Sequence, residues 1–286
     1  MSKSMRRMLS TAVISAVLVL GVLVPVAAFE VDADDPNLFG PGEAWEVPAA
    51  LSPGDSGPWV ERLQVELSEA GFRPGVNDGR FGQATLGAVY AFQKVHDLER
   101  DGVFLEEHWP LLEGTVELPI PVGSPDRVEV DIAKQVLFLV KDNAVAAMLP
   151  ISSGNGDTYR GSRGTPVRAR TPEGGYSFYK HVDGWRISYL GGLYRPYYFR
   201  GGYAIHGSLS VPPYPASHGC VRVELHDMDF LTTELELGMP VFVYGQQVSR
   251  DDVLPAAPVL EDPEPIPRRR LAPYAPISAV GSPAIF

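Results

Sequence analysis

The chain has 286 residues, with 24 Lys plus Arg against 35 Asp plus Glu, a formal charge of −11, 27 Pro, 29 Gly, six His and a single Cys. That length suits one or two domains with sizeable cores, and 45% hydrophobic with 21% charged residues excludes wholesale disorder. The acidic balance speaks against a nucleic-acid partner, because phosphate affinity needs clustered Lys and Arg, and one Cys excludes an internal disulfide or a multi-thiolate zinc site.

Lys3, Arg6 and Arg7 precede an apolar run over 8–26 and then Ala27-Ala28, the form of an export signal at 1–28 cleaved after Ala28. The stretch 8–28 also approaches the ~20 residues that cross a bilayer, so an uncleaved signal anchor is the alternative. Both place everything beyond Phe29 outside the cytoplasm, since the basic residues stay inside, and the membrane is touched only through this segment if it is uncleaved. An unpaired thiol in an oxidising exterior is open to exchange and over-oxidation, so a lone exported Cys is more often kept for chemistry than a cytosolic one. Residues 29–50 are acidic, aperiodic and Pro- and Gly-bearing, which reads as a linker.

The segment 51–113 has helical periodicity. Trp59, Val60, Leu63 and Leu67 recur at helical spacing, with Asp55 or Ser56 available as the cap, Pro58 in the first turn and Gly71 as terminator. Leu86, Val89, Tyr90 and Gln93 repeat the pattern, and a third short element runs over 104–112. Together they predict a small all-α three-helix bundle.

After a second linker at 114–125 the period changes. Val128, Val130 and Ile132 alternate with charged residues, 136–140 is a β-rich run, Asp142-Asn143 marks a turn, and 144–151 continues as a strand. Gly and Pro punctuate 154–215, which reads as loops carrying most of the aromatic residues. Leu225, Met228, Leu231 and Leu235 predict a helix over 225–237, and 241–244 a last strand. The block 126–246 is therefore expected to be a predominantly β, sandwich-like domain with one or two short helices, making the protein multidomain. The tail at 247–286, with eight Pro after residue 250 and the run Arg268-Arg269-Arg270, cannot build a core and reads as disordered.

Within the helical block, Gly54-Asp55-Ser56-Gly57, Leu63-Gln64, Gly71-Phe72, Asp78-Gly79-Arg80-Phe81-Gly82, Phe92-Gln93 and Asp101-Gly102-Val103 resemble the peptidoglycan-binding domain 1 family. That resemblance implies a module docking on cell-wall polymer. Taken on their own, the Asp-Gly pairs make good turns, and Phe81 and Phe92 read as core, so the spacing alone separates no binding groove from a structural turn.

The chemistry concentrates in Tyr203-Ala204-Ile205-His206-Gly207 and Ser217-His218-Gly219-Cys220-Val221-Arg222, where two His and the one Cys fall within 15 residues. A cysteine nucleophile needs a base within reach, a group that orients the base, and donors for the developing oxyanion. These residues resemble the catalytic motif of the YkuD-type L,D-transpeptidases, and Ser153-Gly154, Thr171-Pro172 and 202–207 extend the likeness. The resemblance implies Cys220 as nucleophile and His206 as general acid/base, oriented by the Gly207 carbonyl. His218, Gly219 and the Cys220 amide would shape the oxyanion site, with Ser217 beside them, and Arg222 would support the loop or meet a substrate carboxylate. It implies no cofactor and no metal, peptidoglycan stem peptides as substrates, and 3→3 cross-links made through a thioester with release of D-Ala. Hydrolysis of the same thioester, as in an L,D-carboxypeptidase or endopeptidase, is the enzymatic alternative; a non-catalytic wall-binding protein is the other.

Residue chemistry leaves further readings open. In an extended strand His218 and Cys220 point to one side, so His218 could itself be the base. A zinc site would need His206, His218 and Cys220 joined by His226. His96, His108 and His181 have no partners at useful spacing, and Trp185, Tyr194, Tyr197 and Tyr198 either pack the loops or form an aromatic lid.

Overall fold

The computed structural model describes residues 47–114, 116, 118 and 124–248. The expected export segment, the linker up to residue 46, much of the 114–125 linker and the tail beyond 248 lie outside the described residues. Among those described, no helix is long and apolar enough to cross a membrane.

The N-terminal module runs strand β1 (Ala50–Leu51), helix α1 (Pro58–Glu69), helix α2 (Gln83–Val95), strand β2 (Phe104–Leu105) and a 3-10 helix over Glu106–Glu113. Both α-helices fall where the apolar spacing puts them. The third element is 3-10 rather than α because Pro110 lies inside it and removes a backbone donor. Gly57, at φ +128°, is the N-cap of α1 in place of Asp55 or Ser56. Asp55 instead accepts the Ser52 amide at 2.7 Å, and Ser56 bridges to Arg80. Strands β1 and β2 pair antiparallel, so Ala50 belongs to the module and not to the linker.

A repeated device closes this module. Gln64 on α1 is buried; its Nε2 donates to Asp78 Oδ1 (3.2 Å) and the Arg80 carbonyl (3.0 Å), while its Oε1 accepts the Gly79 amide (2.9 Å). Gln93 on α2 makes the same set with Asp101 Oδ1 (2.7 Å), the Val103 carbonyl (3.0 Å) and the Gly102 amide (3.0 Å). Each helix thus fastens the Asp-Gly turn behind it through one side-chain amide.

The second block is a β-sandwich. Strands β3 (Arg127–Asp131), β4 (Val136–Lys141) and β5 (Ala144–Pro150) form a meander, whose β4–β5 turn carries Asp142 at φ 51° and Asn143 at φ 65°, the backbone a tight hairpin requires. A hairpin of β6 (Thr158–Arg160) and β7 (Pro166–Arg168) follows, then β8 (Gly174–Ser177), β9 (Lys180–His181), β10 (Trp185–Ser188), β11 (Gly191–Arg200) and β12 (Tyr203–Gly207). Strand β13 (Val221–Val223), helix α3 (Leu225–Glu234) and β14 (Pro240–Tyr244) complete it. One sheet has the order β5-β4-β3-β14-β8; the other is β10-β11-β12-β13, with β9 also on β11. Pairing is antiparallel except β3–β14 and β12–β13.

The punctuated stretch expected as loops therefore holds seven strands. The longest, β11, hides its period because its pairing with β12 shifts between Tyr194 and Tyr197, where Arg195 takes φ 48° and Pro196 sits in the irregularity. The inner faces of both sheets meet in one cluster that includes Val128, Val130, Leu137, Leu139, Ile205 and Val221, closed by Met228 and Leu231 of α3.

Strand β4 shows why its sequence is apolar on both faces. Leu137 and Leu139 enter the sandwich core, while Val136, Phe138 and Val140 join Met148 in the cluster built around Leu63, Leu67, Val89 and Phe92. Helix α2 lies against β4 and β5, so the two blocks share a packed interface. The outward side of β3 is equally closed: Arg127 and Glu129 are buried and paired at 2.7 Å.

Candidate active site

Strands β12 and β13 run parallel in the register Ile205↔Val221 and His206↔Arg222. Ile205 and Val221 both enter the sandwich core, and side chains alternate along a strand, so His206, Cys220 and Arg222 belong to the opposite face. Adjacent strands lie about 4.8 Å apart. All three line a cavity of about 760 Å³, together with Ser217 and His218.

His206 is buried, and its Nδ1 is 2.8 Å from the Gly207 carbonyl. A carbonyl can only accept, so Nδ1 carries the proton and Nε2 keeps its lone pair. Burial pushes the imidazole down to about 4; the Gly207 bond opposes this and the Arg222 charge adds to it. Gly207 itself must lack a side chain, because a Cβ there would meet Tyr194 at 2.8 Å and Met228 at 3.1 Å.

Cys220 is half-buried, with Sγ 3.8 Å from the Gly202 carbonyl. Burial pushes its thiol up, while the Ala204 backbone and the Arg222 charge pull it back. Burial likewise lowers Arg222, against the influence of Cys220.

The loop before the thiol is held by two hydroxyls. Ser217 Oγ donates to the Cys220 carbonyl at 2.5 Å and accepts the Gly219 amide at 2.9 Å. Thr171 Oγ1 donates to the Gly219 carbonyl and accepts the Gly154 amide, both at 2.9 Å. Gly219 takes φ +129°, and a Cβ there would lie 2.7 Å from the Tyr203 ring and 2.9 Å from the Arg170 carbonyl. A side chain at 219 would strain the turn and displace the loop.

That turn departs from the extended strand on which the reading of His218 as base rested, while His218 still lines the cavity with Cys220. His218 is exposed and meets Tyr159 edge-on, with ring centroids 4.8 Å apart. Gly219 also differs from expectation, since its amide is already engaged by Ser217 Oγ. The fourth ligand of the zinc reading is elsewhere: His226 does not line the cavity, and its Nε2 is 3.4 Å from Asp227 Oδ1. His96 packs on Phe92, His108 Nδ1 accepts the Leu105 amide, and His181 stacks on Tyr197, so all three have structural partners.

The aromatic residues divide. Tyr194 donates to Asp229 at 2.8 Å and Tyr197 to the Leu235 carbonyl at 3.1 Å, whereas Trp185 and Tyr198 line the cavity. So do Tyr203 of the first histidine motif and Tyr159 and Tyr189, the last two of which sequence reasoning did not single out. Their only local signal was aromatic residues among turn residues, and it is the β10–β11 hairpin that brings Trp185 and Tyr189 to the cleft.

Comparison with known proteins places two family models on the chain: the YkuD L,D-transpeptidase catalytic domain over residues 125–243 and a peptidoglycan binding domain over 56–104. Among solved structures, the chain is similar to the L,D-transpeptidase of Xylanimonas cellulosilytica, with 42% identity and a TM-score of 0.65, covering 70% of this chain and all of that one. A second L,D-transpeptidase, from Stackebrandtia nassauensis, matches at 20% identity with a TM-score of 0.43 over 71% of this chain and 98% of that one. Among curated proteins, the zinc D-Ala-D-Ala carboxypeptidase of Streptomyces albus G is 37% identical over 106 residues, 34% of this chain and 39% of that protein's length.

Proposed function

Because this chain belongs to the YkuD family of L,D-transpeptidases, with a peptidoglycan-binding domain ahead of the catalytic one, we propose that it is an extracytoplasmic enzyme that transfers acyl groups between peptidoglycan stem peptides through Cys220. Cys220 Sγ attacks the carbonyl of the L,D bond ahead of the terminal D-Ala of a tetrapeptide stem. His206 Nε2 takes the thiol proton as the C–S bond forms and gives it to the departing amine, so D-Ala leaves and a thioester remains. An amine from a neighbouring stem then attacks the thioester, its proton passes through His206 to Sγ, and a 3→3 cross-link results.

The observation that carries this reading is the tautomer of His206 fixed by the Gly207 carbonyl, which leaves Nε2 free as a base on a residue that lines the same cleft as the chain's one thiol. The Cys220 amide is the donor nearest the acyl oxygen in this reading, while Ser217, Gly219 and Thr171 hold the loop's shape and His218 with Tyr159 forms one side of the cleft. Arg222, half-buried and cationic on the same wall, suits a substrate carboxylate.

Incubation of the full protein with a tetrapeptide stem is expected to add the acyl mass to Cys220 and release D-Ala. Cys220→Ala is expected to lower turnover by roughly 10³-fold or more. An unmodified mass in wild-type protein under trapping conditions sinks the proposal. Product analysis with and without an acceptor amine separates cross-linking from hydrolysis, because only the former yields a dimer.

A further inference from the structure

The N-terminal module reaches the catalytic loop from behind. Lys94 on α2 is fully buried, and its Nζ donates to the Ile151 carbonyl at 2.9 Å. A buried ammonium is costly, and an apolar side chain would have served packing alone. Burial drives Lys94 well below the usual lysine range, with Glu224 opposing this and Arg100 adding to it.

Ile151 opens a segment, 151–155, that backs both sides of the nucleophile. Ser152 exchanges main-chain bonds with Arg222, at 3.0 and 3.1 Å, and its Oγ donates to the Tyr214 carbonyl at 2.8 Å. The Ser153 carbonyl accepts the amides of Ala216 (3.1 Å) and Ser217 (2.9 Å), and the Asn155 amide donates to the Ser217 carbonyl at 3.0 Å. Two further module residues reach the same region. Arg100 donates to the Pro213 carbonyl at 3.3 Å, and Gln83 Nε2 to Glu224 Oε1, just past β13, at 3.3 Å.

We propose that the N-terminal module is a structural half of the reaction site, in which Lys94 is a positioning residue that pins segment 151–155 and, through it, the loop carrying Cys220. Arg100 supports the same loop at Pro213. The inference rests on the proposed acyl transfer only for the reaction it affects.

The test uses the full chain and a soluble stem peptide, so that wall binding does not enter. Since the chain has one Cys, an aromatic disulfide reagent reports on Cys220 alone. Lys94→Met keeps the length and removes the Nζ donor; kcat for D-Ala release is expected to fall about tenfold with KM within about twofold. The pH midpoint of the thiol reaction is expected to move down toward the ordinary cysteine value, as the slackened loop admits water to a thiol that burial had pushed up. A loss of stability alone would leave that midpoint where it is in the folded fraction. Arg100→Ala, at a partly buried site, is expected to shift both readings the same way by less. Folded Lys94→Met with wild-type kcat and an unmoved midpoint overturns the proposal. If Lys94→Met does not fold, wild-type values in Arg100→Ala overturn it. Wild-type protein that releases no D-Ala defeats the acyl-transfer reading instead, and the thiol midpoint then decides the role of Lys94.

Discussion

At neutral pH the two groups assigned to the proposed reaction rest uncharged, the imidazole of His206 because burial pushes it down to about 4 and the thiol of Cys220 because burial pushes it up. Proton transfer between them is uphill before attack, so in the proposed mechanism it accompanies C–S bond formation in place of a standing thiolate–imidazolium pair. The base form of His206 is lost only as pH falls through its own lowered value. Acylation of Cys220 is therefore expected to hold its rate down to about pH 5 and to fall along an acid limb centred at about 4, measured by rapid mixing with a stem peptide. A limb near the ordinary imidazole value of about 6.5 would remove His206 from the role. Cys220, His206 and Arg222 were readable from the motif as residue types with a purpose. How each imidazole is held was not, because it turns on the Gly207 carbonyl at His206 Nδ1 and on the φ +129° at Gly219 beside His218, whose ring meets Tyr159.

Among the elements, the two glutamine-clamped turns account for the glutamines and the Asp-Gly pairs of the module's signature. Gln64 with Asp78-Gly79 and Gln93 with Asp101-Gly102 are spent on internal hydrogen bonds, so these motif positions hold the chain's shape and are committed before any ligand arrives. Gln93→Leu removes the amide and leaves the Gly102 N–H and Val103 carbonyl unpaired in the interior. It is expected to cost about 1–3 kcal/mol in chemical denaturation of the full protein. A neutral result would mean that the turn closes without its clamp. Helices α1 and α2 and strand β3 were legible because their periods are regular over at least five residues, and β4 and β5 because they are apolar runs on either side of the Asp142-Asn143 turn. Strand β11 was not, since the shift between Tyr194 and Tyr197 resets the alternation and Pro196 reads locally as a breaker. The 3-10 form over Glu106–Glu113 escaped for a related reason: its apolar spacing is near helical, and only Pro110 separates the two outcomes.

For the molecule as a whole, the decisive feature is the first sheet lying between the module and the second sheet. Val136, Phe138, Val140 and Met148, each no more than 4% exposed, complete the module's apolar cluster. A fragment confined to 124–248 would expose these four side chains. It is expected to melt well below the full chain and to bind an apolar fluorescent dye, both followed during heating. A fragment as stable as the parent would show that the shared cluster contributes nothing. Lys94, Arg100 and Gln83 make polar contacts across the same interface, behind the loop that carries Cys220.

Composition, one thiol and two histidine-bearing motifs were enough to determine that two differently built modules exist and to single out the stretch of the second in which Cys220 and two histidines gather, because periodicity, turn residues and motif spacing are local properties of the chain. Tertiary structure alone decided that the modules share a core, that the outward face of β4 is as apolar as its inner face because a helix covers it, and that a lysine of the N-terminal module reaches the segment behind the Cys220 loop. Those are contacts between residues dozens of positions apart, and only packing, which must bury every apolar face and pair every buried polar group, selects them.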